Sequence, residues 1–132
     1  MSLAGPRRDV VILACAISAG IHGALVPDHF DEGTGAGVGF LAAAIALAGL
    51  VVWLTRRPAS NLAVAAAAAT FVGLLVSYAL AITTGVPVLH PDRESVDGLA
   101  LATKAIEVAG LLAATSLLRR PVALTLTHPK GA

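Results

Sequence analysis

The chain has 132 residues, enough for one domain, with 57% hydrophobic and only 13% charged residues. A typical soluble domain carries about 25% charge. A net charge of +1 gives no basic surface for nucleic acid, and a single cysteine excludes an internal disulfide.

The charges are segregated along the chain. Val10–Val26 holds none and has His22 as its only titratable histidine; Val38–Thr55 and Leu62–Leu89 hold none; Gly98–Leu118 holds Lys104 and Glu107. Each run approaches or exceeds the ~17 residues that cross a hydrocarbon core. Backbone groups in lipid must be satisfied within the segment, which helices do. The pattern predicts an all-α, four-helix transmembrane bundle with helices over about 10–26, 38–55, 62–84 and 98–118, in one integral membrane domain spanning 1–132.

Met1–Asp9 reads as a polar leader with Arg7 and Arg8. The apolar run before Cys15 is shorter than the ~7–15 residues of a signal core, so an uncleaved first helix is expected. In that helix Cys15, Ser18, Ala19 and His22 share one face. Ala16, Gly20 and Ala24 form a row of small residues of the kind that lets helices approach closely. Pro27 disfavours helix at Val26 and is expected to end the segment.

Pro27–Gly39 reads as a first outer loop with a short interfacial helix over Asp28–Glu32. That turn would stack Asp28 on Glu32 and set His29 beside Glu32. Gly33, Gly35, Gly37 and Gly39 then allow the reversal. They are not a phosphate loop, because no strand precedes them and no Gly-Lys-Ser/Thr follows.

Trp53 beside Arg56 and Arg57 marks a membrane interface. Ser60 or Asn61 is expected to cap the third helix. Gly85–Asp97 is a second outer loop bearing His90, Asp92, Arg93, Glu94 and Asp97. In the fourth helix Ala100, Thr103, Lys104, Glu107, Gly110 and Ala114 form a small or polar face, and Leu101, Ala105, Val108 and Leu112 an apolar one. The first should face the bundle. Arg-Arg-Pro occurs at 56–58 and 119–121, and Pro-Asp at 27–28 and 91–92. Two repeated helical hairpins would explain this, as would two ordinary stops before a turn.

Seven of the basic residues fall on one side of this topology: Arg7, Arg8, Arg56, Arg57, Arg119, Arg120 and Lys130. The positive-inside rule puts both termini in the cytoplasm and the chain in the inner (plasma) membrane as a multi-pass protein.

Two groups of residues could carry chemistry. His22, His29, Glu32, His90 and Glu94 gather on the outer side. Imidazole with carboxylate suits Zn, Cu or Fe, or a haem-like group. The same residues would also serve as a solvated acidic surface. Lys104 and Glu107 lie deep in the fourth helix, and an ionisable residue there points to function. They would equally form a self-neutralising pair. Cys15 reads as a small core residue and His128 as part of a solvated tail.

His22-Gly23-Ala24-Leu25-Val26-Pro27-Asp28-His29-Phe30-Asp31-Glu32 resembles the H-x-A-L-V-P-[DE]-H-x-x-E first outer loop of small uncharacterised four-helix bacterial integral membrane proteins. Thr84-Gly85-Val86-Pro87 and Glu94-Ser95-Val96-Asp97-Gly98 are similar to their second outer loop, and Glu107 to an acid in their last helix. The resemblance implies the same topology and a shared outer site. Small multidrug exporters have the same size, but carry a glutamate in helix one that is missing here.

The expected role is an accessory or binding membrane protein with the outer His/carboxylate site. The alternatives are a small proton-coupled transporter using Glu107 and Lys104, or a structural subunit of a membrane complex. An enzyme is least expected, as no nucleophile–base pair is visible. The partners expected are the lipid bilayer and another membrane protein or a second copy.

Overall fold

A computed structural model describes residues 4–87 and 91–119. Among them are four helices: α1 (Ala4–Glu32), α2 (Thr34–Arg56), α3 (Asn61–Thr83) and α4 (Gly98–Leu118). All four are long and apolar enough to cross a membrane. They run up and down around a square. α1 packs on α2 and α4, α3 packs on α4 and more lightly on α2, and α1 and α3 barely meet across the diagonal.

The first hairpin departs from the sequence expectation. α1 neither starts at residue 10 nor stops at Pro27; it runs on to Glu32 with Pro27 inside it. The expected loop over Pro27–Gly39 shrinks to Gly33, an extended residue between two helices. The Gly33 and Gly37 amides donate to the His29 and Gly33 carbonyls at 3.0 and 3.1 Å, so hydrogen bonding continues across the break. Proline removes one amide and crowds the carbonyl four residues back, here that of Gly23. Contacts made by the last turns of α1 outweigh that cost. A Cβ on Gly37 would overlap the Phe30 ring, so this glycine lets the end of α1 seat on the start of α2. The extension also revises a depth. His22 lies ~15 Å below the end of α1 instead of the ~6 Å implied by a stop at Val26.

The other termini follow their local chemistry. Ser60 caps α3 by accepting from the Ala63 amide at 3.1 Å. Asp97 caps α4 by accepting from the Ala100 amide at 2.7 Å. Thr84 is the C-cap of α3, followed by Gly85 at φ 77°, the left-handed conformation common just past a helix end. Arg8 of α1 donates to the carbonyls of Leu54 and Arg57 at 2.6 and 2.9 Å, and to that of Pro58. These are carbonyls that the end of α2 leaves without helical partners.

The face assignment for α4 holds. Thr103, Glu107, Gly110 and Ala114 are buried, while Leu101, Ala105, Val108 and Leu112 are exposed. The small row on α1 does not pack as expected: Ala16, Gly20 and Ala24 are all exposed.

The apolar core occupies the half of the bundle near Arg57. It joins Val11, Ala14 and Cys15 to Leu47, Leu50, Leu54, Ala63, Val64, Ala67, Phe71 and Ala114. Phe71 is its centre and lies across Gly110. A Cβ there would come within 2.7 Å of both the Phe71 ring and Ala14.

Candidate functional site

The half of the bundle near Gly33 is hollow. A cavity of about 720 Å³ opens there, lined by residues of all four helices and of the α3–α4 connection. Its polar groups fall into two layers, joined by one face of α1.

The lower layer begins at Ser18 and His22, one turn apart on α1 and both buried. His22 Nδ1 lies 2.8 Å from the Ser18 carbonyl oxygen. A carbonyl only accepts, so Nδ1 carries the proton, and the neutral ring then has its lone pair on Nε2. The Ser18 hydroxyl donates to Glu107 Oε1 at 2.7 Å. Lys104 Nζ donates to Glu107 Oε2 at 2.6 Å. Glu107 is fully buried, with a donor on each oxygen. The Lys104 ammonium also sits 5.5 Å from the centre of the Tyr78 ring, in cation–π range.

The upper layer is built on the last turns of α1, where Pro27 was expected to have stopped the helix. His29 Nδ1 lies 2.9 Å from the Leu25 carbonyl oxygen, which fixes its proton there by the same reasoning. Nε2 is the ring nitrogen turned toward the two carboxylates. Glu32 Oε2 and Glu94 Oε1 each stand 3.9 Å from it. Ligand atoms of the three residues all lie within 4.8 Å of one another. Glu94 arrives from the α3–α4 connection because its amide donates to the Ala81 carbonyl at 2.9 Å, which pins that segment over the end of α3. Phe40 of α2 stacks on His29 with ring centres 3.4 Å apart, and lies 5.2 Å from His22. One phenyl ring thus stands against both imidazoles and so between the layers.

One imidazole nitrogen and two carboxylates are a donor set able to hold a divalent metal ion. The 3.9 Å separations exceed the ~2.7–2.9 Å of a charge-assisted hydrogen bond. They come near the ~3.4 Å between ligands held at ~2.1 Å around a tetrahedral ion. His29 also has the outer support usual for a metal-bound histidine, its other nitrogen donating to a backbone carbonyl.

Of the five candidate ligands, the structure brings together His29, Glu32 and Glu94. His22 belongs to the lower layer, with Ser18 and Glu107. His90 lies outside the described residues, as do His128 and Lys130. Lys104 and Glu107 are paired and turned inward, as the small, polar face of α4 suggested. Three participants escaped sequence reasoning. Ser18 was placed on the right face, but its bond to Glu107 needs the α1–α4 packing. Phe40 gave no signal beyond being an aromatic at the start of α2. The Tyr78 hydroxyl is buried with no hydrogen-bond partner among the described residues, which residue type and spacing do not reveal.

No protein-family model matches the chain, and neither curated proteins nor solved structures give a significant match.

Proposed function

We propose that this chain is a small multi-pass membrane protein that holds a divalent metal ion at His29, Glu32 and Glu94, acting as an accessory or binding protein. The observation that carries the reading is the convergence of His29 Nε2 with one carboxylate oxygen each of Glu32 and Glu94, all within 4.8 Å of one another. One nitrogen and two oxygens suit Zn, Fe or Mn better than soft Cu(I). The carboxylates beside Nε2 also favour a bare ion over haem. Three protein ligands leave coordination positions open, as in sites that exchange their ion or accept a further ligand.

The positive-inside rule puts both termini in the cytoplasm and this site on the outer face of the inner membrane. The H-x-A-L-V-P-[DE]-H-x-x-E likeness to small bacterial membrane proteins supports the same placement. Cysteines introduced at Asp31 and at Ala59 should label from opposite sides.

The deciding experiment is elemental analysis of the detergent-purified full chain after exposure to Zn, Cu, Mn and Fe and removal of free ion, with an absorption spectrum to detect haem. About one ion per chain is expected, lost in His29→Ala and in Glu94→Gln. A chain that retains no ion ends the proposal.

The proton-coupled carrier built on Glu107 has less support. Each Glu107 oxygen already has a donor, and the pair with Lys104 neutralises the charge in place. That arrangement suits a structural bridge between α1 and α4.

A further inference from the structure

The lower chamber has a chemistry of its own. Its net charge is zero, since Lys104 and Glu107 cancel at 2.6 Å. Two hydrogen-bonding groups there are left over. The Tyr78 hydroxyl is a buried donor with no partner among the described residues. Native proteins leave few such groups unmatched. His22 Nε2 is a lone-pair acceptor, because the ring's proton is on Nδ1. Both residues line the cavity, along with the aliphatic side chains of Ile21, Leu25, Leu74 and Leu99. A contact chain joins them: Tyr78 under Lys104, Lys104 to Glu107, Glu107 to Ser18, Ser18 to His22.

This combination selects a ligand. An anion or a cation would bring an uncompensated charge into low dielectric, beside groups that already neutralise each other. A purely apolar molecule would leave the Tyr78 hydroxyl unmatched. A hydroxyl-bearing head answers these leftovers, since a hydroxyl can donate to a ring nitrogen such as His22 Nε2 and can accept from a phenol such as Tyr78. The apolar walls fit the remainder of a molecule that dissolves in the bilayer. The cavity that the chamber shares with the upper layer, about 720 Å³ in all, lies in the ~300–1,000 Å³ range of small-molecule sites.

We infer that the lower chamber, lined by Tyr78, His22 and Lys104, binds a neutral lipid-soluble molecule with a hydroxyl-bearing head. Two sources of that chemistry are a quinol and a glyceride with a free hydroxyl. The site uses none of the three residues proposed to hold the metal above it, though both lie in one cavity. Binding involves no covalent or redox step.

The test uses the full chain in phosphatidylcholine nanodiscs with a chelator present. Equilibrium binding is measured for radiolabelled decylubiquinol, kept reduced under anaerobic conditions, and for radiolabelled dioctanoylglycerol. One of the two should bind saturably at about one per chain. Which one binds identifies the source. Tyr78→Phe keeps the ring beneath Lys104 and removes only an unpartnered hydroxyl, so the melting midpoint should not change. It should weaken binding roughly tenfold, the loss of one hydrogen bond. His22→Phe should weaken it similarly, while Glu94→Gln should leave it intact. The inference is overturned if neither probe saturates, or if the Tyr78→Phe protein binds as well as the parent.

Discussion

The two halves of the bundle solve the same packing problem in opposite ways. Near Arg57, Phe71, Leu47, Leu54 and Val11 are fully buried and the helices close on small residues such as Gly110 and Ala114. Near Gly33, the same four helices enclose a cavity and present imidazole, carboxylate, ammonium and phenol groups. The difference lies in side-chain volume and chemistry, since the helices are continuous through both. One half is filled by apolar side chains. The other holds its walls apart with paired polar groups, and the Ser18–Glu107–Lys104 bridge is the seam between the two.

The sharpest way to break this contrast is to cut the seam. Lys104→Ala leaves Glu107 buried with a charge and one donor. Removing one partner of a buried pair costs about 3–5 kcal/mol, and a large drop in the melting midpoint in detergent is expected. Adding Glu107→Gln to Lys104→Ala should restore most of it. A Lys104→Ala midpoint equal to the parent's would mean the pair carries no load between the halves.

A smaller effect tests the closed half. Gly110→Ala forces a methyl against Phe71 and Ala14, and overpacking of this kind costs about 1–3 kcal/mol. Gly20→Ala on α1 meets nothing within 4 Å and should be neutral or slightly stabilising. Equal midpoints for these two variants would show that the closed half is looser than its contacts imply.

In the open half, Zn should raise the melting midpoint of the parent but not of Glu94→Gln. Acid should reverse this. The imidazole and carboxylates bind metal only when deprotonated, so affinity falls as protons compete for the ligands at lower pH. Zn stabilisation that persists undiminished at pH 5 would exclude His29 as a ligand. The mildest expected effect is at the rim. Asp97→Ala removes the cap of α4 and should cost about 1 kcal/mol.

The sequence reading and the structure agree where the signal was local. Three charge-free runs and a fourth with only Lys104 and Glu107 correspond to the four helices, and the small and polar residues of α4 mark its buried face. The reading failed at Pro27. A proline's cost is local and legible, whereas the contacts that carry α1 past it, Phe30 on Gly37 and His29 on Phe40, join residues of two helices. The same limit applies to the ligands. His22 and His29 share a face at two-turn spacing, so the sequence pooled them. The rise of the helix separates them by ~10 Å and gives them different neighbours. Glu94 could be suspected but not placed, since its position rests on a backbone bond to Ala81.

The single-residue link at Gly33 bears on how the protein is made. With no slack between α1 and α2, closing that hairpin costs little chain entropy, and its contacts are among the most local in the fold. The register of His29 against Phe40 therefore needs nothing beyond the first hairpin. Glu32 belongs to that hairpin; Glu94 does not. It arrives only when the second hairpin docks and folds its connection over the end of α3. On the proposed metal reading, a nascent first hairpin offers two of three ligands, and tight capture of an ion waits for the fourth helix. Metal retention would then report complete assembly, and a chain truncated before Glu94 would insert without holding its ion.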